Sequence, residues 1–299
     1  MPSTSPIEGQ GKETASISPG SLFVVSTPIG HLEDITFRAV RILGLADLVA
    51  AEDTRHSRKL LSHYHISTPL VSFHDHNKEA RAPELIARMQ GGESVALVTD
   101  AGTPSISDPG YYLVRSAIDA SLPVVPVPGP SAFVAALSVS GLPTDRFLFV
   151  GFVPRKTVRR NQLLQGLRYQ DVTLVFYESP RRLLTLVDAL VEILGDRESV
   201  MARELTKLYE EIFRGRLTKL REDVAARESL RGECTLLVAG YENGSPVDGK
   251  TIREYLLSID GGETPISVSD RVKAVAKRYR ISRKKVYEEA LRLEKEGKI

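Results

Sequence analysis

Cysteine occurs once in the 299 residues, at Cys234. That scarcity excludes an intrachain disulfide framework and any cysteine-based zinc cluster. It also fits a reducing compartment. No apolar run approaches the roughly 18–20 residues that a membrane-spanning helix needs. Residues 1–20 are rich in Ser, Gly, Pro and Glu and lack both the basic and the apolar stretch of a secretory leader, so a disordered tail and a cytoplasmic protein are expected. Neither charge sign is in excess: 40 basic against 38 acidic residues give a net +2, so average charge does not point to nucleic acid. The apolar fraction of 42% and charged fraction of 26% describe a globular chain, not a disordered one. The length suits one large domain or two ordinary ones.

From residue 21 the pattern is α/β. Short β-branched, apolar runs recur at 22–26, 47–51, 69–73, 95–99 and 124–127, and helical stretches such as 34–43, 78–89 and 108–120 lie between them. Such alternation predicts a largely parallel sheet covered by helices. The near-continuous apolarity of the strands agrees, because parallel strands are buried on both faces. A break at Gly141-Leu-Pro-Thr-Asp145 opens a second α/β unit over 141–243. Its predicted strands are 146–152, 172–177, 199–203, 211–215 and 234–239, with a helix near 181–194 and some neighbouring strands close enough to be antiparallel. Residues 244–268 read as a linker around one short helix, 252–259. Residues 269–299 read as two helices joined at Arg280-Ile281, each opened by a serine cap. From Arg271 to Ile299 there are 11 basic and 4 acidic residues, a local charge of +7.

The densest signal is Thr99-Asp-Ala-Gly-Thr-Pro-Ser-Ile-Ser-Asp-Pro-Gly110. It follows a buried strand and opens a helix at Asp108, with Pro109 expected at the first helical position. Ligands of open α/β sheets bind beyond the carboxyl ends of the strands. Gly102 lets backbone approach a ligand, and Asp100 offers an acceptor. A plain turn needs far fewer special residues. Pro126-Val-Pro-Gly-Pro-Ser131 is a second such loop, a rigid wall with Ser131 as its polar cap. Ser26-Thr-Pro-Ile-Gly30 is a third. Three loops of this kind at strand ends predict one small-molecule crevice.

Gly244-Ser-Pro-Val-Asp-Gly-Lys-Thr251 has the spacing of a phosphate-binding P-loop but not its chemistry. Pro246 removes a cradling N–H, Asp248 repels phosphate, and Tyr241-Glu-Asn243 separates the motif from the preceding strand. There is no G-x-G-x-x-G. The six histidines all lie between His31 and His76, and His63/His65 and His74/His76 have the H-x-H spacing that on a strand puts both rings on one face. No carboxylate stands at a recognisable ligand spacing, so no metal is expected, and rim hydrogen bonding or plain exposure is the reading.

Glu52-Asp-Thr-Arg55 ends another strand. A carboxylate such as Asp53 and the Arg55 guanidinium either meet substrate there, or the run is a helix N-terminus with Asp53 or Thr54 as its cap. In Phe176-Tyr-Glu-Ser-Pro180, Glu178 is a general base, a hydrogen-bond acceptor or a cap. Arg155-Lys-Thr-Val-Arg-Arg160 places four basic residues at the same rim, where phosphate contact is expected from Arg155, Lys156, Arg159 and Arg160.

Taken with Phe73-His-Asp-His-Asn77, Gly151-Phe-Val-Pro154 and Arg203-Glu-Leu-Thr-Lys207, these motifs resemble the ribosomal RNA small subunit methyltransferase I family of the tetrapyrrole methylase superfamily. The likeness runs in order from about residue 21 to the C-terminus. His31 departs from the pattern, which has Asn there. The resemblance implies two α/β domains with S-adenosylmethionine folded into the cleft between them, a homodimer, and methyl transfer to the 2′-hydroxyl of a cytidine in the decoding region of 16S rRNA, with the assembled 30S subunit as partner. It implies cofactor contacts from Pro28, Thr99, Asp100, Ala101, Gly102, Ile106, Ser131 and Ala132, and from Tyr177 and Leu205 in the second unit. It gives the C-terminal helices an RNA-docking role, with Arg283, Lys284 and Lys285 beside Arg55 and the 155–160 run as RNA contacts.

A sulfonium donor is already activated, so alignment of methyl and oxygen is the main task. A ribose hydroxyl is a poor nucleophile and needs a base or polarising cation. Lys156, Glu178 and Asp53 are the candidates, and the sequence does not choose among them. Two other readings are a tetrapyrrole or protein side chain as acceptor, and a ribosome- or RNA-binding protein without catalysis. Neither explains all the features: the first needs no basic rim, the second no crevice.

Overall fold

The computed structural model describes residues 17–241, 249–259, 266–279 and 282–298. The expected tail over 1–16, the body of the P-loop-like motif at 244–248, part of the linker and the joint at Arg280-Ile281 lie outside these residues. Residues 17–20, read as tail, are instead tied down. Gly20 N–H donates to Gly92 O at 3.1 Å, Ser94 Oγ donates to Ser18 O at 3.2 Å, and Ile17 packs on the first core.

The first unit is a five-stranded sheet made of β1 (Leu22–Val25), β2 (Leu48–Ala51), β3 (Leu70–Ser72), β4 (Val95–Val98) and β5 (Val124–Val127). All strands are parallel, in the order β3-β2-β4-β1-β5. Strands β2 and β4 are buried at every position, as the apolar runs required. Helices α1 (Phe37–Leu45), α2 (Thr54–His63), α3 (Lys78–Gln90) and α4 (Gly110–Asp119) follow the first four strands. Two apolar layers result, one on each face of the sheet.

Several helix starts differ from the sequence reading for local reasons. Helix α1 begins at Phe37 because Thr36 caps it by accepting from Ala39 N–H at 3.1 Å. Helix α4 begins at Gly110: Pro109 is its cap residue, and Asp108 Oδ1 accepts from the Gly110 and Ser105 N–H groups at 2.7 and 2.9 Å. Ser131 precedes α5 (Ala132–Ser140) but makes no capping hydrogen bond with its side chain.

The second unit has strands β6 (Phe147–Phe152), β7 (Thr173–Glu178), β8 (Glu198–Arg203), β9 (Glu211–Arg216) and β10 (Cys234–Val238), in the order β6-β7-β10-β8-β9. Only β6 and β7 are parallel. Helices α6 (Thr157–Leu167), α7 (Pro180–Leu194) and α8 (Leu217–Ala225) cover one face. The other face takes α5, whose Ala136 and Leu137 pack with Val175, Val200, Ala202 and Leu237. The helix that leaves the first sheet thus plugs the second and brings their strand ends together.

Helices α9 (Gly249–Ser258), α10 (Val268–Tyr279) and α11 (Arg283–Lys295) share a core built on Leu256, Val275, Val286 and Leu293. Ser267, not Ser269, caps α10, accepting from Asp270 N–H at 3.2 Å; Ser282 makes no side-chain cap. Tyr169 of the second unit meets Tyr255 edge-on at 4.9 Å and seats this bundle. No helix among the described residues is long and apolar enough to cross a membrane.

Candidate active site

The loops at the carboxyl ends of the first sheet face the second sheet across a cleft of about 440 Å³. Its first wall is the 99–108 loop. Thr27 and Gly102 exchange backbone hydrogen bonds of 2.9 and 3.1 Å, which ties this loop to the one after β1. Gly102 sits at φ +87, a conformation that side chains with a Cβ rarely adopt. Thr103 Oγ1 donates to Pro130 O at 3.0 Å and meets Ser26 Oγ at 2.9 Å, so all three strand-end loops interlock.

Two carboxyls lie in this wall. Glu52 takes the Thr99 hydroxyl on Oε2 at 2.7 Å, and burial raises its pKa in spite of that bond. Asp108 is raised by burial too, against the two N–H groups that hold its Oδ1; its Oδ2 is buried with no hydrogen-bond partner. Asp100 Oδ1 accepts from Asp53 N–H at 3.0 Å.

The opposite wall comes from Phe152, Tyr177, Glu178, Ala202, Leu205 and the 232–235 segment. Tyr177 stands among Phe149 and Phe152, and its hydroxyl accepts from Phe133 N–H at 3.2 Å, in the first turn of α5. Burial raises the Tyr177 phenol. Cys234 lines the cleft floor, its thiol pushed up to about 12 by burial. Glu178 is buried; Oε1 accepts from Ser179 N–H at 2.8 Å and Oε2 lies 3.0 Å from the Arg182 guanidinium.

The two units also approach each other closely at two places near the cleft. His31 N–H donates to Thr206 Oγ1 at 3.0 Å. His31 also caps a one-turn helix by accepting from Glu33 N–H at 3.3 Å on Nδ1, a task that Asn performs equally well. At the second place, a Cβ on Gly151 would stand 3.3 Å from Ser107 Oγ.

Nine of the ten residues expected to hold the cofactor line this one cleft: Thr99, Asp100, Ala101, Gly102, Ile106, Ser131, Ala132, Tyr177 and Leu205. Pro28 does not; it is buried beside Ile29, which does. Of the candidate bases only Glu178 lies in the cleft. Asp53 is the cap of α2, accepting from Arg55 N–H at 2.8 Å and gripping the Arg55 guanidinium, so neither residue faces the cleft. Lys156 is exposed at the head of α6 with Arg155 and Arg159, outside the lining, and Arg160 is half-buried there. Arg283 and Lys284 are exposed on the first turn of α11, with Lys285 half-buried. The histidine pairs do not share a strand: His63 ends α2, His65 follows at φ 55, and His74 and His76 sit in the turn after β3. Among the described residues no three His, Cys, Asp or Glu side chains are placed to hold a metal.

Sequence reading missed Glu52, Asp108 and the 232–235 segment. Glu52 stands just before the cap candidates of its run, Asp108 looks like a cap, and the 232–235 segment reaches the cleft only through the pairing of β10 with β7 and β8.

Residues 21–221 match the family described as Tetrapyrrole (Corrin/Porphyrin) Methylases. The ribosomal RNA small subunit methyltransferase I of Pseudomonas aeruginosa is 51% identical over 228 residues, 76% of this chain and 81% of that protein. The protein of the same name from Synechocystis is 43% identical over 283 residues, 93% of this chain and all of its own length (100%). Among solved structures, uroporphyrin-III C-methyltransferase from Thermus thermophilus superposes with a TM-score of 0.55 at 24% identity, over 74% of this chain and 94% of that one. A second structure of that enzyme, with a TM-score of 0.52 at 22% identity over 73% and 96% of the two chains, is complexed with S-adenosylhomocysteine. The two facing sheets, the interlocked loops between them and these likenesses have one reading: the chain belongs to the tetrapyrrole methylase family and, within it, to the ribosomal RNA small subunit methyltransferase I family.

Proposed function

We propose that this chain is an S-adenosylmethionine-dependent methyltransferase that methylates the 2′-hydroxyl of a cytidine in the decoding region of 16S rRNA, by in-line transfer on the 30S subunit. The observation that carries the reading is the cleft. Both sheets supply its walls, the His31–Thr206 hydrogen bond joins the two units beside it, and Arg155, Lys156 and Arg159 are exposed on the second unit a few residues past Phe152, which lines it. The names of the 51% and 43% identical relatives support rRNA as substrate.

The lining suits a nucleoside thioether. Asp100 presents a carboxylate to an amine or hydroxyl, Ala101, Gly102 and Ala132 leave room near backbone, and Ile106 and Leu205 supply apolar contact. Bound there, S-adenosylmethionine supplies a methyl already activated by its sulfonium. The protein aligns the acceptor, excludes water and takes the hydroxyl proton as the O–C bond forms.

Glu52 is the group best placed for that proton. It lines the cleft, and burial lifts its pKa toward the range where a carboxylate is an effective base. Lys156 and Asp53 lie outside, and Glu178 Oε2 is paired with the Arg182 guanidinium at 3.0 Å. The basic rim and the +7 segment carrying α11 meet phosphates around the target.

The test is transfer of labelled methyl from S-adenosylmethionine to unmodified 30S subunits, with mass spectrometry of nuclease fragments. One 2′-O-methylcytidine in the decoding region is the expected product. Methyl on a base, on protein or nowhere in the RNA overturns the proposal.

A further inference from the structure

A second cavity, of about 360 Å³, opens beside the cleft on the first unit. Glu52, Ser107 and Asp108 line both spaces. Beyond that shared wall the side cavity is lined by Asp75, Lys78, Tyr111 and Tyr112. The cofactor residues of the main cleft do not reach it, and its chemistry is different. Tyr111 is 66% exposed, so its ring stands open to an incoming planar group, while the ring of Tyr112, 38% exposed, has Lys78 over it. Lys78 Nζ lies 5.9 Å from the Tyr112 ring centroid and pairs with Asp75 at 2.8 Å. On the wall, Asp108 has one oxygen satisfied twice and the other buried with no partner.

We infer that this side cavity receives the base of the methylated nucleotide, stacked on Tyr111, and that Asp108 reads its exocyclic amine. The inference rests on the proposed cytidine 2′-O reaction and adds the determinant of the base. An ionised carboxylate only accepts hydrogen bonds. Cytosine presents an amine at C4, and a carboxylate accepting from that amine is a known way to read cytosine. Uracil presents a carbonyl oxygen at the same place, which leaves the Asp108 oxygen unpaired and adds repulsion. Sites built to bond a particular donor reject the analogue that lacks it far more strongly than apolar pockets do. Stacking adds affinity without choosing among bases, because every base has a π-face. The shared wall also fixes the register: a base in the side cavity leaves its ribose at the junction, next to Glu52 and facing the main cleft.

The test uses the full-length protein with reconstituted 30S particles that carry either cytidine or uridine at the methylated position. The wild type, Asp108→Asn and Tyr111→Ala are compared by kcat/KM on each particle, by S-adenosylhomocysteine affinity and by thermal melting. The wild type should prefer the cytidine particle. Asp108→Asn should lower that preference at least tenfold, because an amide offers a donor to the uracil carbonyl. Tyr111→Ala, an exposed side chain outside the main cleft, should raise KM for the particle roughly tenfold, the scale of one lost base stack, and leave S-adenosylhomocysteine affinity unchanged. An unchanged cytidine preference in Asp108→Asn overturns the assignment of Asp108, and an unchanged KM in Tyr111→Ala overturns the cavity. If Asp108→Asn does not fold, Tyr111→Ala decides alone. A wild type that places no methyl on the cytidine overturns the underlying function, and the inference falls with it.

Discussion

Gly30 lies against Thr206 so closely that a Cβ on it would stand 2.7 Å from the threonine hydroxyl oxygen. The same Cβ would meet Leu205 O at 2.9 Å, a backbone atom that cannot swing aside. Thr206 itself is held at φ 64, and its Oγ1 takes the His31 N–H. The loops after β1 and β8, which carry the cleft residues Ile29 and Leu205, therefore meet with no spare room between them.

Gly30→Ala should force those loops apart. The expected cost is about 1–3 kcal/mol of stability, the usual range for overpacking. S-adenosylhomocysteine affinity should fall with it, because Leu205 lines the cleft on the displaced loop. Calorimetric titration together with a melting curve checks both. An alanine variant with wild-type affinity would mean that this part of the cleft is not a cofactor wall.

Glu52→Gln and Glu178→Gln should separate chemistry from architecture. Loss of a general base costs about 10²–10⁴-fold in rate, so Glu52→Gln should fall by at least roughly 10²-fold with little change in cofactor affinity. The wild-type rate should rise with pH as Glu52 loses its proton, with a midpoint above the ordinary 4.5 because burial raises it. Glu178→Gln instead leaves Arg182 unmatched beside a buried site, and should cost about 1–3 kcal/mol in stability. Single-turnover rates and melting curves on the two variants read this contrast. A Glu178→Gln enzyme that melts normally but is inert would reverse the assignment.

Glu211 gives a pH dependence of stability with a definite sign. Arg227 and Arg203 both bond its carboxylate, and they hold it down from 4.5 to about 2. Between these values the unfolded chain binds a proton that the folded chain does not, so stability rises with pH there. The contribution is fully present above 4.5 and is lost as pH falls toward 2. Glu211→Gln should flatten the melting temperature over that window and leave other acid transitions in place.

Much of this architecture is readable from residues alone. The strand ends announce themselves because buried parallel strands are continuously apolar, while their loops are crowded with Pro, Gly and Asp. What the sequence hides is set by distance. Asp53 and Asp108 both look like helix caps; Asp53 is one, while Asp108 holds the Gly110 N–H from the residue before the cap Pro109, and that it also keeps an unpartnered oxygen in a wall shared by two cavities depends on how the 99–108 loop folds. The 232–235 segment is an ordinary strand start until β10 inserts between β7 and β8. Lys156 reads as a cleft residue because it follows a strand end, yet α6 carries it outward.

The basic rim should act through phosphate contacts. A triple variant, Arg155→Ala with Lys156→Ala and Arg159→Ala, should lose about 0.7–0.9 from the salt-dependence slope of subunit binding for each contact removed. Its cofactor affinity should match the wild type, since none of the three lines the cleft. Filter binding over a salt series measures the slope, and an unchanged slope would remove the rim from the RNA surface.

S-adenosylmethionine is expected in the cleft between the two sheets. Ala101 lines that cleft at an exposed position, so Ala101→Trp fills it without disturbing a core. Calorimetric titration of S-adenosylhomocysteine into the wild type and into a normally melting Ala101→Trp variant decides the matter. Binding by the wild type and a loss of at least tenfold in the variant is the expected result. Equal binding by both would place the cofactor elsewhere.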